Sequence, residues 1–168
     1  MKNLKWLSVF LFAGFMACNS GENTSATTDS VAATTDTSHQ MAMDTSAAMK
    51  PLPAVPDGAK VFFKNLKEGQ VVSSPIKVEM GVSGIAIQPA GDINAGFGHH
   101  HLLIDAGTSY PEGEVVPTDA QHLHFGKGQT ETEISLPAGK HVLTLQFADG
   151  AHRSYGNALA ASITIEVK

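Results

Sequence analysis

Histidine is the residue type in this 168-residue chain whose number and spacing most strongly suggest chemistry. The chain has eight histidines, and six are candidate metal ligands: His99, His101, His122, His124, His141 and His152. Alternate side chains of a β-strand point to the same face, so His99 and His101 are expected to share a face. The same spacing applies to His122 and His124. Two such pairs facing each other would gather four imidazoles around one ion.

The metal expected at such a site is copper or zinc, because neutral imidazole suits both ions and zinc favours four ligands. Roles without a metal are also open to these histidines, which can form a hydrogen-bonded polar cluster or a pH-sensitive surface. His141 opens a strand and can be purely structural, whereas His152 lies in a loop and can swing in as a ligand. His100 shares its parity with Leu102, and we expect it to face inward and to be hydrogen-bonded.

A second group of donors lies nearer the N-terminus, at His39, Met41 and Met43. Thioethers at alternate positions beside an imidazole suit a soft ion such as Cu(I). The alternative is a polar linker in which a few methionines are scattered by chance.

Enzymes and nucleic-acid-binding proteins fit the sequence poorly. There is no G-x-S-x-G elbow, no H-E-x-x-H helix motif and one cysteine alone, so we expect no enzymatic activity. The chain has 11 basic and 16 acidic residues and a formal net charge of −5. A basic footprint is missing, and nucleic acid is therefore an unexpected partner.

The N-terminus has the parts of a secretion signal. Lys2 and Lys5 precede an apolar run from Trp6 to Ala17, which is shorter than the ~20 residues that span a bilayer as a helix. The segment Phe15-Met16-Ala17-Cys18 resembles a lipoprotein lipobox with Phe15 in place of leucine. The resemblance implies that residues 1–17 are removed and that Cys18 is diacylated, which holds a protein stably at a membrane. A plain signal peptide followed by a chance cysteine is the alternative.

The rest of the chain divides by composition. Residues 18–55 are about half Ser, Thr and Ala and carry no aromatic side chain, which predicts a disordered stalk. Residues 56–168 carry short alternating runs between Gly and Pro turns, which predict an immunoglobulin-like β-sandwich of about seven strands. Residues 130–136 and 141–147 are expected to form a hairpin around the turn at 137–140. No window has a helical period.

Three segments of the β-domain resemble one family, the bacterial domain of unknown function DUF4399. They are Gly98-His99-His100-His101-Leu102-Leu103-Ile104-Asp105, His122-Leu123-His124-Phe125-Gly126-Lys127-Gly128-Gln129-Thr130 and Pro137-Ala138-Gly139-Lys140-His141. The resemblance covers about Val61 to Val167 and implies that the histidines belong to a pattern. It carries no assigned activity. The family typically has a second histidine after the position of His152, where this chain has Arg153.

Two functions follow as hypotheses. The first is a lipid-anchored cell-envelope protein, at the outer membrane or on the periplasmic or surface face, whose histidine-rich domain captures or delivers copper or zinc. The second is a metal-free adhesion or structural module of the envelope with an immunoglobulin-like fold. Convergence of the imidazole nitrogens in the structure would favour the first.

Overall fold

The computed structural model describes residues 50–168. The predictions for the signal segment 1–17, for Cys18, for residues 18–49 of the stalk and for His39, Met41 and Met43 lie outside these residues. Within them, the chain folds into an all-β sandwich, and the predicted fold class is confirmed.

Residues 50–168 contain nine strands and one short 3-10 helix, connected by loops. The strands are β1 (Lys60–Phe63), β2 (Gln70–Val72), β3 (Ile76–Ser83), β4 (Ala86–Ile87), β5 (Phe97–Ile104), β6 (His122–His124), β7 (Glu131–Ile134), β8 (Gly139–Ala148) and β9 (Ala160–Val167). The 3-10 helix spans Gly156–Leu159. The count exceeds the expected seven because β2, β4 and β6 have only two or three residues each. No helix in this part of the chain is long and apolar enough to cross a membrane.

The strands form two sheets. One has three strands in the order β1-β3-β7, and the other has the order β2-β9-β8-β5-β4, with β6 also paired to β5. Strand β5 lies antiparallel to β8 along one edge, while β4 and β6 pair with different parts of its other edge. The strand that carries three consecutive histidines is therefore an inner strand of the larger sheet.

The predicted hairpin between residues 130–136 and 141–147 is wrong. Strand β7 pairs with β3 in the small sheet, whereas β8 pairs with β5 and β9 in the large one. The segment between them crosses from one sheet to the other. An alternating pattern shows which face of a strand is buried, but it does not specify the neighbouring strand.

Strand β5 is buried on both faces, and this decides where its histidines lie. Leu102 belongs to the main core between the two sheets. Leu103 belongs to a smaller apolar cluster with Val116 and Ala148. The loop 105–121 covers this second face. It is attached to the sheet by a hydrogen bond of 2.8 Å from the Tyr110 N–H to the Gln146 side chain. The large sheet thus has a covered outer face in addition to the sandwich core.

Candidate metal centre

Strand register places three histidines on the covered outer face of the large sheet. His99 and His101 alternate with Leu102, which faces the core, so both point to the opposite side. His124 of β6 is the direct partner of His101 in the antiparallel ladder, and its side chain lies on the same face. Two neighbouring strands therefore contribute to one imidazole group.

The three imidazoles are close enough to share an ion. Each of His99, His101 and His124 offers a ring nitrogen, and these three nitrogens lie within 4.8 Å of one another. The Nε2 atoms of His99 and His101 are 3.2 Å apart. At this distance one ring can donate its N–H to the other. The distance also fits two nitrogens of one tetrahedral ion, which are about 3.3–3.4 Å apart when each bond is ~2.0–2.1 Å.

Burial keeps these imidazoles neutral at ordinary pH. His99 and His101 have no exposed surface. Burial, reinforced by the neighbouring His152, lowers the pKa of His99 to about 4. Burial and the adjacent His99 lower the pKa of His101 to about 2, and burial also lowers the pKa of His124. A neutral ring has a nitrogen lone pair, which is the form that binds metals.

Each of the three rings also has a buried nitrogen without a hydrogen-bond partner among the described residues. These atoms are Nδ1 of His99, Nδ1 of His101 and Nε2 of His124. A buried polar atom without a partner costs about 1–3 kcal/mol, and native proteins contain few of them. Three in one cluster indicate that the bonding of these imidazoles is incomplete within the protein alone.

Two glycines let neighbouring loops close over this end of the sheet. A Cβ added at Gly126 would overlap the His124 ring, and one at Gly150 would overlap the carbonyl oxygen of Asp92. The backbone of segment 90–91 joins both positions, through hydrogen bonds of Ala90 N–H to Gly126 O and of Gly91 N–H to Gly150 O, each 2.8 Å long. The absence of side chains at both glycines therefore permits the enclosure of the cluster.

A fourth imidazole, that of His152, completes the surroundings. Its ring centroid is 4.7 Å from that of His124, 5.1 Å from that of His99 and 6.1 Å from that of His101. Its nitrogens are not part of the group that lies within 4.8 Å. His152 therefore packs against the triad, defined here as His99, His101 and His124, without joining it in this conformation.

The segment of chain that holds these residues matches one known family. A family model described as a domain of unknown function, DUF4399, matches residues 78–168. The chain belongs to the DUF4399 family. No curated protein and no solved structure matches the chain. The matched region includes the triad and His152, so the whole cluster lies within the part of the chain that defines the family.

The remaining histidine of β5 in this DUF4399 domain lies on the other face of the sheet. His100 faces the core, as its parity predicts, and its ring centroid is 5.1 Å from that of Phe147 in an edge-on arrangement. The expected hydrogen bond is missing, because neither ring nitrogen has a partner among residues 50–168. Burial, aided by the positive charge of Lys64, lowers the pKa of His100 to about 4.

His122 does not join the group, although it shares its strand face with His124. In the antiparallel ladder between β5 and β6, His124 pairs with His101, so His122 pairs with Leu103 and not with His99. Its Nδ1 lies 2.9 Å from a carboxylate oxygen of Asp119, and its ring meets Tyr110 edge-on. The structure therefore brings together one histidine of the second pair with both of the first.

His141 lies near the start of β8, at the other end of the strand from Gln146 and Ala148, which pair with His101 and His99. Its Nδ1 is 2.7 Å from a carboxylate oxygen of Asp105, and its Nε2 is 3.1 Å from the Pro137 carbonyl oxygen. The carboxylate raises the pKa of His141. Both ring nitrogens are occupied by protein groups, so this histidine fastens a strand end in the DUF4399 domain.

Sequence reasoning did not identify the polar residues that support the cluster. Gln146 is the ladder partner of His101 and is fully buried. Asp149 is also fully buried and forms an ion pair with Arg153, with 2.6 Å between Oδ2 and Nη2. The sequence signal for Gln146 is its position, since it is a polar residue between Leu145 and Phe147 in a mostly apolar run. The ion pair has only a weak signal, a separation of four residues.

Proposed function

We propose that this DUF4399 domain is the metal-binding module of a lipid-anchored cell-envelope protein that captures or delivers a transition metal. The ligands are His99, His101 and His124. The observation that supports this most directly is the convergence of their ring nitrogens within 4.8 Å. The low pKa values of all three rings support it further, because protons do not compete for the nitrogens at neutral pH.

The donor set selects a class of metal. The group consists of imidazole alone, and imidazole suits zinc and copper, whereas magnesium and calcium prefer oxygen ligands. Three neutral ligands leave the full positive charge on the ion. The Asp149 carboxylate acts favourably on the protonated form of His99, although its own charge is balanced by the ion pair with Arg153. Zn(II) and Cu(II) are therefore the ions proposed.

The location in the cell envelope is proposed from the sequence. An apolar N-terminal run that ends at a single cysteine, Cys18, is the arrangement of a lipid-anchored exported protein. Use of that cysteine as the anchor leaves no thiolate for metal binding. The proposed site is accordingly built from histidine, which needs no reducing environment to remain a ligand.

Metal titration of the purified protein tests this function. The full chain, freed of metal with a chelator, is expected to bind one equivalent of Zn(II) or Cu(II) in a competition assay against a chromophoric chelator. The double variant His99→Ala/His101→Ala is expected to lose that equivalent.

The single variant His122→Ala is the control, because it removes a histidine on the same face that is not in the triad. The proposal fails if the wild-type chain binds neither ion at micromolar concentration. It also fails if the double variant binds as tightly as the wild type. In either case capture of envelope proteins that persists in chelator would favour the metal-free binding module.

A further inference from the structure

The turn that carries His152 has a strained backbone at the residue nearest the triad. The φ angle of His152 is 66°, and His152 and Asp105 are the two non-glycine residues among 50–168 with a positive φ. Such a conformation costs free energy for any residue with a Cβ, and it persists only where the surroundings impose it. Asp105 has an evident reason, because its carboxylate accepts hydrogen bonds from His141 and from the Val142 N–H.

For His152 the side chain has no comparable partner. Its ring makes no hydrogen bond to another described residue, and the backbone bonds of the residue, N–H to Asp149 O and O to the Val116 N–H, would be the same for glycine. Glycine would also adopt this φ without strain. The chain therefore keeps an imidazole at a position where the backbone would favour glycine, and that imidazole is directed at the triad.

A buried ion pair imposes the turn. One carboxylate oxygen of Asp149 accepts the N–H groups of Ala151 and Arg153, each at 2.9 Å, and the other accepts Nε and Nη2 of Arg153 at 2.9 and 2.6 Å. Three of these bonds join Asp149 to Arg153 and therefore span His152, and the fourth joins Asp149 to Ala151. The pair fixes both ends of a short arc, and the residue at its apex takes the left-handed conformation.

The ring is within reach of a shared ion. Its centroid distances to His124 and His99, 4.7 and 5.1 Å, match the 4.9–5.1 Å between the members of the triad. Only the distance to His101 is longer, at 6.1 Å. No hydrogen bond to another described residue holds the ring where it is, so rotation of the His152 side chain toward the triad would break none.

We propose that His152 is the fourth ligand of the ion bound by the triad, and that the Asp149–Arg153 pair acts as the positioning group that holds it there. This inference rests on the proposed function. It makes the centre a closed site of four imidazoles, which is the coordination number that zinc adopts in sites without an open position. The metal bound by this centre is therefore expected to be an ion that accepts four neutral nitrogen ligands, and Zn(II) is the ion used to test it.

X-ray absorption and affinity measurements on the full chain loaded with Zn(II) test the proposal. The wild type is expected to show four histidine nitrogens around zinc, and His152→Gly is expected to show three. The Zn(II) affinity of His152→Gly is expected to fall by roughly 10-fold or more. His152→Asn gives the same result with a residue that tolerates the left-handed conformation. His122→Ala, which also removes one histidine, is expected to retain four nitrogens and wild-type affinity.

A second measurement separates a ligand from a merely structural residue. The melting temperature of metal-free His152→Gly is expected to equal or exceed that of the wild type, because glycine relieves the strain. Its increase on addition of Zn(II) is expected to be smaller. A structural role would instead lower the melting temperature of the metal-free variant and leave the zinc-induced increase unchanged.

The positioning role of the ion pair has its own variant. Arg153→Lys keeps the charge but loses the forked contact with Asp149, and it is expected to weaken Zn(II) binding while at least three histidine nitrogens remain around zinc in the absorption spectrum. Unchanged affinity and four nitrogens in His152→Gly would overturn the inference and leave the three-histidine function intact. Absence of zinc binding by the wild type would overturn both.

Discussion

The imidazole of His124 occupies the space in which a side chain at Gly126 would lie. An added Cβ would overlap both Nε2 and Cε1 of the ring, far inside van der Waals contact, while the next neighbour, Ala90 Cβ, is at 3.4 Å. The φ angle of Gly126 is not in the left-handed region. This glycine is therefore required by the position of a ligand ring and not by a turn.

Gly126→Ala is expected to weaken metal binding without removing a ligand. The new methyl group must displace the His124 ring from the triad, and misplaced ligands typically cost about 10–100-fold in metal affinity. Competition titration with Zn(II) measures the effect. Urea denaturation of the metal-free protein serves as the control, since the backbone at this position accepts alanine. A variant with wild-type affinity would show that His124 does not contribute to the site.

His124→Ala and His122→Ala form a matched pair on one strand. Both remove an imidazole from the same face of β6, but only His124 stands opposite His101 in the ladder. We expect His124→Ala to lower the Zn(II) affinity by at least ~10-fold and His122→Ala to leave it within ~2-fold. Equal losses in both variants would indicate that metal binds to the strand as a whole rather than to the triad.

The metal-free protein is expected to lose stability as the pH falls from 6.5 toward 4. His99 stays neutral in the native state, with a pKa of about 4, but has a pKa near 6.5 when unfolded, so the unfolded state binds protons first and is stabilised relative to the native state. Above pH 6.5 this penalty is absent. His100 and His101 add to the effect in the same direction.

Urea denaturation at pH 7.5, 6 and 5 measures this dependence, with a loss of up to about 1.4 kcal/mol per pH unit for each histidine that stays neutral in the native state. His99→Ala/His101→Ala is the control and is expected to show a shallower slope. A wild-type free energy of unfolding that is constant over this range would contradict the prediction.

His141→Ala is expected to destabilise the fold and leave the metal site intact. The variant leaves the Asp105 carboxylate without one of its partners, and because this carboxylate is 42% exposed and can be rehydrated, the loss costs about 0.5–1 kcal/mol. Because the pKa of His141 is raised, the ion pair contributes most below pH 6.5 and weakens as the pH rises above it. Urea denaturation at pH 6 and 8.5 should show the larger loss at pH 6, with Zn(II) affinity unchanged at pH 7.5.

Cys18→Ser is expected to release the protein from the membrane. The thiol is the only group in the chain that can be thioether-linked to a diacylglycerol, and a serine cannot be modified in its place. Radiolabelled palmitate incorporation and fractionation of the envelope measure the outcome. Incorporation of label into the variant, or its retention in the membrane fraction, would rule out Cys18 as the site of lipidation.

The fold class and part of the site were predictable because both rest on alternation. His99 and His101 share a face for the same reason that Ile76, Val78 and Met80 share one, and an alternating pattern is visible in sequence. The pairing of β7 with β3 was not visible, since register and partner depend on contacts between distant segments. The same limitation led to the expectation of a hairpin and to the inclusion of His122.

His152 was a candidate ligand because of its place in a loop, but its position beside the triad was not predictable from local patterns. It belongs to no strand pair with the triad, and it is brought there by a turn whose shape depends on a buried contact between Asp149 and Arg153. Nothing in the spacing of residues 149–153 reveals which of them is buried. The sequence likewise does not predict the close approach of His124 to Gly126, because a glycine in a loop can serve a turn, a bulge or a close approach.

The guanidinium of Arg153 reaches beyond its own turn and donates hydrogen bonds to the carbonyl oxygens of Lys50 and Pro51, while Lys50 Nζ donates to Ile93 O at 2.8 Å. The stretch just before Pro56, where a change in composition placed the domain boundary, is thus attached to the rim of the histidine cluster. A recombinant fragment that starts at Pro56 would carry every histidine of the cluster but would lack these three hydrogen bonds. The smallest unit suitable for measuring this centre accordingly begins at or before Lys50.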